Sequence, residues 1–315
     1  MLALAIAAAA YTPPGVLASL VDEKRREVDR MRKLPEARED GPWQLRLGYP
    51  ADDSSFALGH ALGWRPERPV VLADLKRASP GGRIGVTETL APGLDVNEAL
   101  LRVRDLGAVG ALVGTDLTSY GSSPRDLKDA CMFAREKLPS AAGGGDAMPI
   151  VAKDLFIDPL QIARAACDGA RAIVLVAAAA LPDLPALLDT CTLLGLETIV
   201  EVHTPEEVTV ASESGAGILL VNERDRATGQ LVTGQAAGLA PLLPPDVMCL
   251  ACGGISRVEH VRALRRAGYD GFVIGRALLG DPRTADKLMS AIEAEAPTQR
   301  WSEVITLPSK TQDGK

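Results

Sequence analysis

Residues 149–176 read Pro149-Ile-Val-Ala-Lys-Asp-Leu-Phe-Ile-Asp-Pro-Leu-Gln-Ile-Ala-Arg-Ala-Ala-Cys-Asp-Gly-Ala-Arg-Ala-Ile-Val-Leu-Val176. A short aliphatic run (150–152) is followed by an amphipathic stretch (159–168) and then by a second aliphatic and β-branched run (172–176). A strand, a helix and a strand in this order make a βαβ unit, whose two strands lie parallel. The same alternation extends in both directions from this segment. Strands are predicted at 70–75, 110–114, 150–152, 172–176, 197–202, 218–221, 247–251 and 271–274, and helices at 96–106, 125–137, 159–168, 184–194, 205–214, 234–243, 258–267 and 284–295. Eight such pairs in about 230 residues fit a closed (β/α)8 barrel, the TIM-barrel class, better than an open sheet.

The barrel is assigned to residues 69–296, leaving 297–315 as a C-terminal tail. Ahead of it, 13–68 reads as an extra N-terminal helix followed by a loop extension. Leu17, Leu20, Val21, Lys24 and Val28 follow helical spacing, whereas 34–66 carries Gly, Pro and Asp and reads mostly as loop. Residues 1–12 open with an apolar, Ala-rich run that is too short to span a bilayer and lacks the cationic start of a secretory signal. They read as a leader or the remnant of an organellar targeting peptide. The latter places the chain in a plastid, and the alternative compartment is the cytoplasm.

A chain of 315 residues with 47% hydrophobic residues can bury a sizeable core, and its net charge of −7 opposes binding to nucleic acid or an anionic membrane surface. No membrane insertion is expected. Any anionic ligand must therefore be held by local groups. Five cysteines, an odd number scattered through the elements, suit a reducing compartment better than a disulfide framework. Cys249 and Cys252 have metal-like spacing but no second Cys or His pair, so no metal is expected.

Barrel enzymes place their chemistry at the C-terminal ends of the strands. Polar residues collect there: Asp74 and Lys76 after strand one, Lys153 and Asp154 after strand three, Glu201 and His203 after strand five, Asn222 and Arg224 after strand six. Asp74 and Lys76 are two apart and share one side of their strand. Gly253-Gly254 and Gly275-Arg276 follow strands seven and eight, where barrels commonly cradle a phosphate on backbone N–H groups. A single lysine at a strand end is ordinarily a solvated charge, and paired glycines are ordinarily turns. Their coincidence on one barrel end points to an enzyme acting on a small phosphorylated molecule.

These segments resemble the indole-3-glycerol phosphate synthase family. Val71-Leu-Ala-Asp-Leu-Lys-Arg-Ala-Ser-Pro80 is similar to its first-strand motif, and Pro149-Ile-Val-Ala-Lys-Asp-Leu-Phe-Ile-Asp-Pro159 to its third. Ile199-Val-Glu-Val-His203 and Val221-Asn-Glu-Arg-Asp225 resemble the fifth and sixth, Thr115-Asp116 and Tyr120 fit the second loop, and 16–28 looks like the family's helix before the barrel. The resemblance implies closure of a carboxyphenylamino-deoxyribulose phosphate to an indole with loss of CO2 and water, in tryptophan biosynthesis, without metal or organic cofactor. It implies Lys153 as the acid at the ketone, Lys76 as a second cation with Asp74 beside it, and Glu201 as the acid/base of dehydration. Ser79, Asn222 and Arg224 would bind and orient the substrate, Tyr120 would pack near its aromatic ring, and Gly253, Gly254, Gly275 and Arg276 would hold its phosphate.

Four places depart from the family pattern. Asp74 stands where Glu is usual, Cys252-Gly253-Gly254 replaces Glu-Ser-Gly, Gly275-Arg276 replaces Gly-Ser or Gly-Glu, and Leu155-Phe156 replaces Phe-Ile. Two alternatives accordingly stand beside the synthase reading: an impaired paralogue serving as a structural or regulatory subunit of an assembly, with a protein partner, and another phosphate-binding barrel isomerase.

Overall fold

A computed structural model of the chain describes residues 13, 15–49, 56–63, 68–80, 87–139, 147–225 and 228–296. Eight strands, β1 (Val70–Leu75), β2 (Gly110–Gly114), β3 (Ile150–Lys153), β4 (Ala172–Val176), β5 (Glu197–Val202), β6 (Ile218–Asn222), β7 (Met248–Cys252) and β8 (Gly271–Ile274), close into a parallel barrel in chain order, with β1 pairing both β2 and β8. The leader at 1–12 and the tail at 297–315 lie outside the described residues.

Strand parity divides the core in two. Leu72, Leu112, Val151, Val174, Ile199, Leu220, Leu250 and Val273 pack inside the barrel, while alternate residues such as Ala73, Val113, Ala152 and Leu175 face the surrounding helices. Successive side chains of a strand point to opposite faces, so both sets are buried and the strands read as continuous apolar runs. The same alternation carried to the strand ends makes Asp74, Lys153, Glu201, Asn222 and Cys252 the uppermost inward residues. Cys249 and Cys252, three apart, fall on opposite faces: Cys249 packs with the outer core and Cys252 with the inner. They cannot share a metal.

The N-terminal helix α1 (Gly15–Met31) lies across the C-terminal side, packing Leu17 and Val21 against Leu155, Val176, Ala178 and Ala179. Burying each such aliphatic side chain contributes about 1.5–3 kcal/mol. The stretch expected to be mostly loop instead contains a 3-10 turn at Pro35–Ala37 and helices at Pro42–Gly48 and Ala57–Leu62. The last plugs the opposite end of the barrel, where Leu58 and Leu62 join the inner core and the Glu197 carboxylate accepts from the Leu58 and Gly59 amides at 2.6 and 2.7 Å. A six-residue helix is unstable by itself, and its structure comes from this capping and burial, which local sequence does not display. The helix expected at 234–243 shortens to Gln235–Leu239 followed by a 3-10 turn, and an antiparallel pair, Ala78–Pro80 with Thr87–Thr89, extends the loop after β1.

Candidate active site

The C-terminal ends of the strands surround a cavity of about 330 Å³ lined by Asp74, Lys76, Ser79, Tyr120, Lys153, Asn222, Arg224 and Cys252, with Gly253, Gly254, Gly275 and Arg276 along one wall. Asp74 joins two of the lining lysines. One carboxylate oxygen, Oδ2, accepts from Lys153 Nζ at 3.0 Å and lies 2.6 Å from Lys76 Nζ. Burial alone would raise the Asp74 pKa, but the two ammonium groups outweigh it and hold it at about 2. Lys153 is 3% exposed. Burial disfavours its charge, and Asp74, Tyr120 and Glu201 more than reverse that, so it stays protonated beyond the usual lysine range. Its Nζ also lies 5.7 Å from the centre of the Tyr120 ring, over a face that favours a cation. Tyr120 is fixed by Gly114, where an added Cβ would come within 2.7 Å of the Tyr120 Cβ. The second oxygen, Asp74 Oδ1, is buried with no hydrogen-bond partner.

Glu201 sits behind this wall rather than on it. It is fully buried, accepts from Asn222 Nδ2 at 3.0 Å, and has His203 Nε2 3.3 Å from its Oε1. Asn222 is held in turn by donating that bond while its Oδ1 accepts from the Arg224 amide at 2.9 Å. The Arg224 guanidinium donates to the Gly229 carbonyl at 2.7 Å, so part of its donor set is spent within its own loop.

Beneath the rim, parity sends Asp154 outward where Lys153 points inward. Lys24 of α1, 2% exposed, bridges Asp154 at 2.7 Å and Asp116 at 2.6 Å, and Thr115 Oγ1 donates to Asp154 at 2.7 Å. The carboxylates outweigh the burial of Lys24 and raise its pKa. This cluster ties the N-terminal helix to the ends of β2 and β3 and so backs the two loops that carry Tyr120 and Lys153.

A model of the indole-3-glycerol phosphate synthase family matches residues 17–290, nearly the whole described barrel and its N-terminal helix. The chain belongs to this family. An indole-3-glycerol phosphate synthase of Roseiflexus sp. (strain RS-1) is 32% identical over 280 residues, covering 87% of this chain and 96% of that protein, and the enzyme of the same name from Micrococcus luteus is 32% identical over 276 residues, covering 86% and 95%. Among solved structures, 3-hexulose-6-phosphate synthase from Salmonella typhimurium aligns with a TM-score of 0.52 at 16% identity, covering 71% of this chain and 98% of that one, a likeness of fold alone. The family is a (β/α)8 barrel, as the strand pattern of this chain requires.

Set against the family pattern, the departures take on physical meaning. Eleven of the twelve residues expected at the site line the cavity, and the twelfth, Glu201, lies one layer deeper. Cys252 also lines it, a position the sequence marked only as a departure. Strand parity would have found it, because it lies four residues beyond the inward Met248. Gly253 adopts φ +94°, and a Cβ there would come within 2.9 Å of both Asn222 Oδ1 and the Glu223 amide and 3.0 Å of the Arg224 amide. The serine usual at this place does not fit the loop as it stands. Leu155 and Phe156 are buried against α1 and the outer helices, away from the cavity. The shorter Asp74 still reaches both lysines.

Proposed function

We propose that the cavity closes a carboxyphenylamino-deoxyribulose phosphate to indole-3-glycerol phosphate, with release of CO2 and water. The observation that carries this reading is Lys153, a buried lysine that Asp74 at 3.0 Å keeps protonated on the cavity lining, so that it stands ready as a proton donor. The aromatic carbon bearing the carboxylate attacks the ketone carbon, and Lys153 donates a proton to the ketone oxygen as negative charge develops there. Its high proton affinity is no obstacle, because an alkoxide is a stronger base than an amine. Loss of CO2 returns the electron pair of the broken C–C bond to the ring and restores aromaticity. The new hydroxyl then leaves as water, with Glu201 handling the protons of that step.

Lys76, beside Asp74 at the mouth, supplies a second positive charge for the substrate carboxylate. The unsatisfied Asp74 Oδ1 is an acceptor for a ribulose hydroxyl, since a buried carboxylate oxygen left unbonded is costly until a donor arrives. Ser79 and Asn222 orient the chain of hydroxyls, Arg224 stands at the same mouth, and Tyr120 packs near the anthranilate ring. Gly253, Gly254, Gly275 and Arg276 take the phosphate. None of these steps calls on a metal or organic cofactor.

The reading as an inactive subunit of an assembly has no observation in its favour, since the altered residues Cys252 and Arg276 border the cavity without filling it. A plastid location rests on residues 1–12, which lie outside the described residues, and the relatives named above are bacterial. No helix among the described residues is long and apolar enough to cross a membrane. A steady-state assay with the anthranilate-derived ribulose phosphate, following indole fluorescence, tests the activity. Absence of both turnover and calorimetric binding would overturn it.

A further inference from the structure

The imidazole of His203 lies between two carboxylates. Nε2 is 3.3 Å from Glu201 Oε1, and Nδ1 is 3.4 Å from Glu207 Oε2. All three side chains are buried or nearly so. Glu207 is fixed independently of the ring: its Oε2 accepts from the His203 amide at 2.8 Å, and its own amide donates to Thr204 Oγ1 at 3.2 Å. This is the Thr-x-x-Glu pattern of a helix N-terminus, with the carboxylate reaching one residue further back than the usual capping box. The Gln235 side chain holds the His203 carbonyl at 2.6 Å. The ring is thus held on its Nδ1 side by Glu207, and its backbone by Gln235, neither of which has another part in the site.

The proton count follows from the donor and acceptor inventory. A carboxylate only accepts, so Nδ1 facing Glu207 carries a hydrogen. Nε2 and Glu201 Oε1 approach to 3.3 Å in a buried setting, at ion-pair distance and not as an aligned hydrogen bond, and leaving both bare would set two lone pairs close together away from water. One proton is common to the pair. It rests either on Glu201, leaving a neutral ring, or on Nε2, leaving an ionised Glu201 and an imidazolium.

We propose that His203 is a positioning residue that keeps one exchangeable proton on the Glu201–His203 couple, so that Glu201 enters the dehydration step as an acid and recovers its proton from the ring, with Glu207 selecting the required tautomer. In the step itself the C–O bond of the hydroxyl breaks as it takes the proton from Glu201 and leaves as water. Loss of a ring-side proton forms the C=C bond, and that proton returns to the couple, which ends with the one it began with. The charged groups facing the couple are Lys153 from β3, which Glu201 influences directly, and Glu207 from the helix after β5. This inference rests on the assignment of the dehydration step to Glu201.

The test combines kinetics and NMR on the full chain. Glu201→Gln should abolish turnover. His203→Gln should lower kcat at neutral pH by ~10²-fold, a size typical of proton-transfer catalysis, leave KM unchanged, and move the alkaline limb of the kcat profile to lower pH. Glu207→Gln removes a negative charge beside the ring, so it should shift the limb in the same direction by less. If Glu201→Gln is inactive while His203→Gln keeps the wild-type pH profile, the couple is overturned and the role of Glu201 stands. If Glu201→Gln is active, both fail. The chain has three histidines, so His60→Gln and His260→Gln assign the His203 ring signals by elimination. An Nδ1–H ring or an imidazolium at neutral pH supports the couple, and a neutral Nε2–H ring overturns it even if the His203 variant does not fold.

Discussion

Lys153 and Asp74 meet at 3.0 Å across the mouth of the barrel, one from the end of β3 and the other from the end of β1, 79 positions apart in the chain. The same carboxylate oxygen also serves Lys76, so a single acceptor sets the position of two cations.

Removing Lys153 tests the acid role proposed for it. Lys153→Ala should lower kcat by ~10²-fold or more, within the range for a lost proton donor. Asp74 would keep Lys76 as its counter-charge, so the fold should survive, as circular dichroism would verify. Wild-type turnover in this variant excludes the assignment.

Asp74 also makes the fold sensitive to acid. Its folded-state pKa, about 2, lies below the ordinary 3.8, so its stabilisation is present above about pH 4 and is lost as pH falls towards 2. The contribution is about 2 kcal/mol. Urea unfolding between pH 5 and 2.5 should show a steeper loss for the parent than for Asp74→Asn. Equal slopes would contradict this.

The anchor of the N-terminal helix is electrostatic as well as apolar. Lys24→Ala leaves Asp154 and Asp116 buried near each other without their shared cation, which should cost about 3–5 kcal/mol. A change in urea midpoint equivalent to less than about 1 kcal/mol, the scale of an exposed pair, would show that the cluster is not structural.

Phosphate recognition is testable without the full substrate. Inorganic phosphate should compete with substrate, and Arg276→Ala should raise its inhibition constant by about 10-fold or more, as expected for loss of a charge-assisted hydrogen bond. An unchanged constant, together with a phosphate-soaked crystal showing no anion near Gly254, Gly275 and Arg276, would remove this wall from the site.

Returning residues to the family pattern should separate detuning from strain. Asp74→Glu with Cys252→Glu should raise kcat/KM, because misplacement of a charge by about 1 Å costs up to ~10²-fold where geometry is tight. Gly253→Ser should instead destabilise the chain by about 1–3 kcal/mol, the usual cost of a side chain in a left-handed backbone conformation. A stable, more active Gly253→Ser variant would show that the loop adapts.

The barrel was legible because its evidence is local and repeated. Each aliphatic run of three to six residues reads as a buried strand, and the amphipathic stretches between them favour parallel pairing. The site residues were legible for a related reason: a polar residue at the end of such a run, as at Asp74, Lys153 and Asn222, falls on the face already set by the inward residues two and four positions before it. Sequence alone therefore determined the closed barrel and most of the residues that line the cavity at the C-terminal ends of its strands. It did not decide how those residues are shared. That one oxygen of Asp74 holds two lysines, that Glu201 lies behind Asn222 with His203 at its back, and that Lys24 locks α1 beneath the rim all depend on side chains from different strands meeting in space. The helix at Ala57–Leu62 and the φ of Gly253 belong to the same class, because a short helix or a left-handed turn exists only where distant groups cap it or crowd it. Distances between residues far apart in the chain are set by barrel closure and packing, and no periodicity along one strand records them.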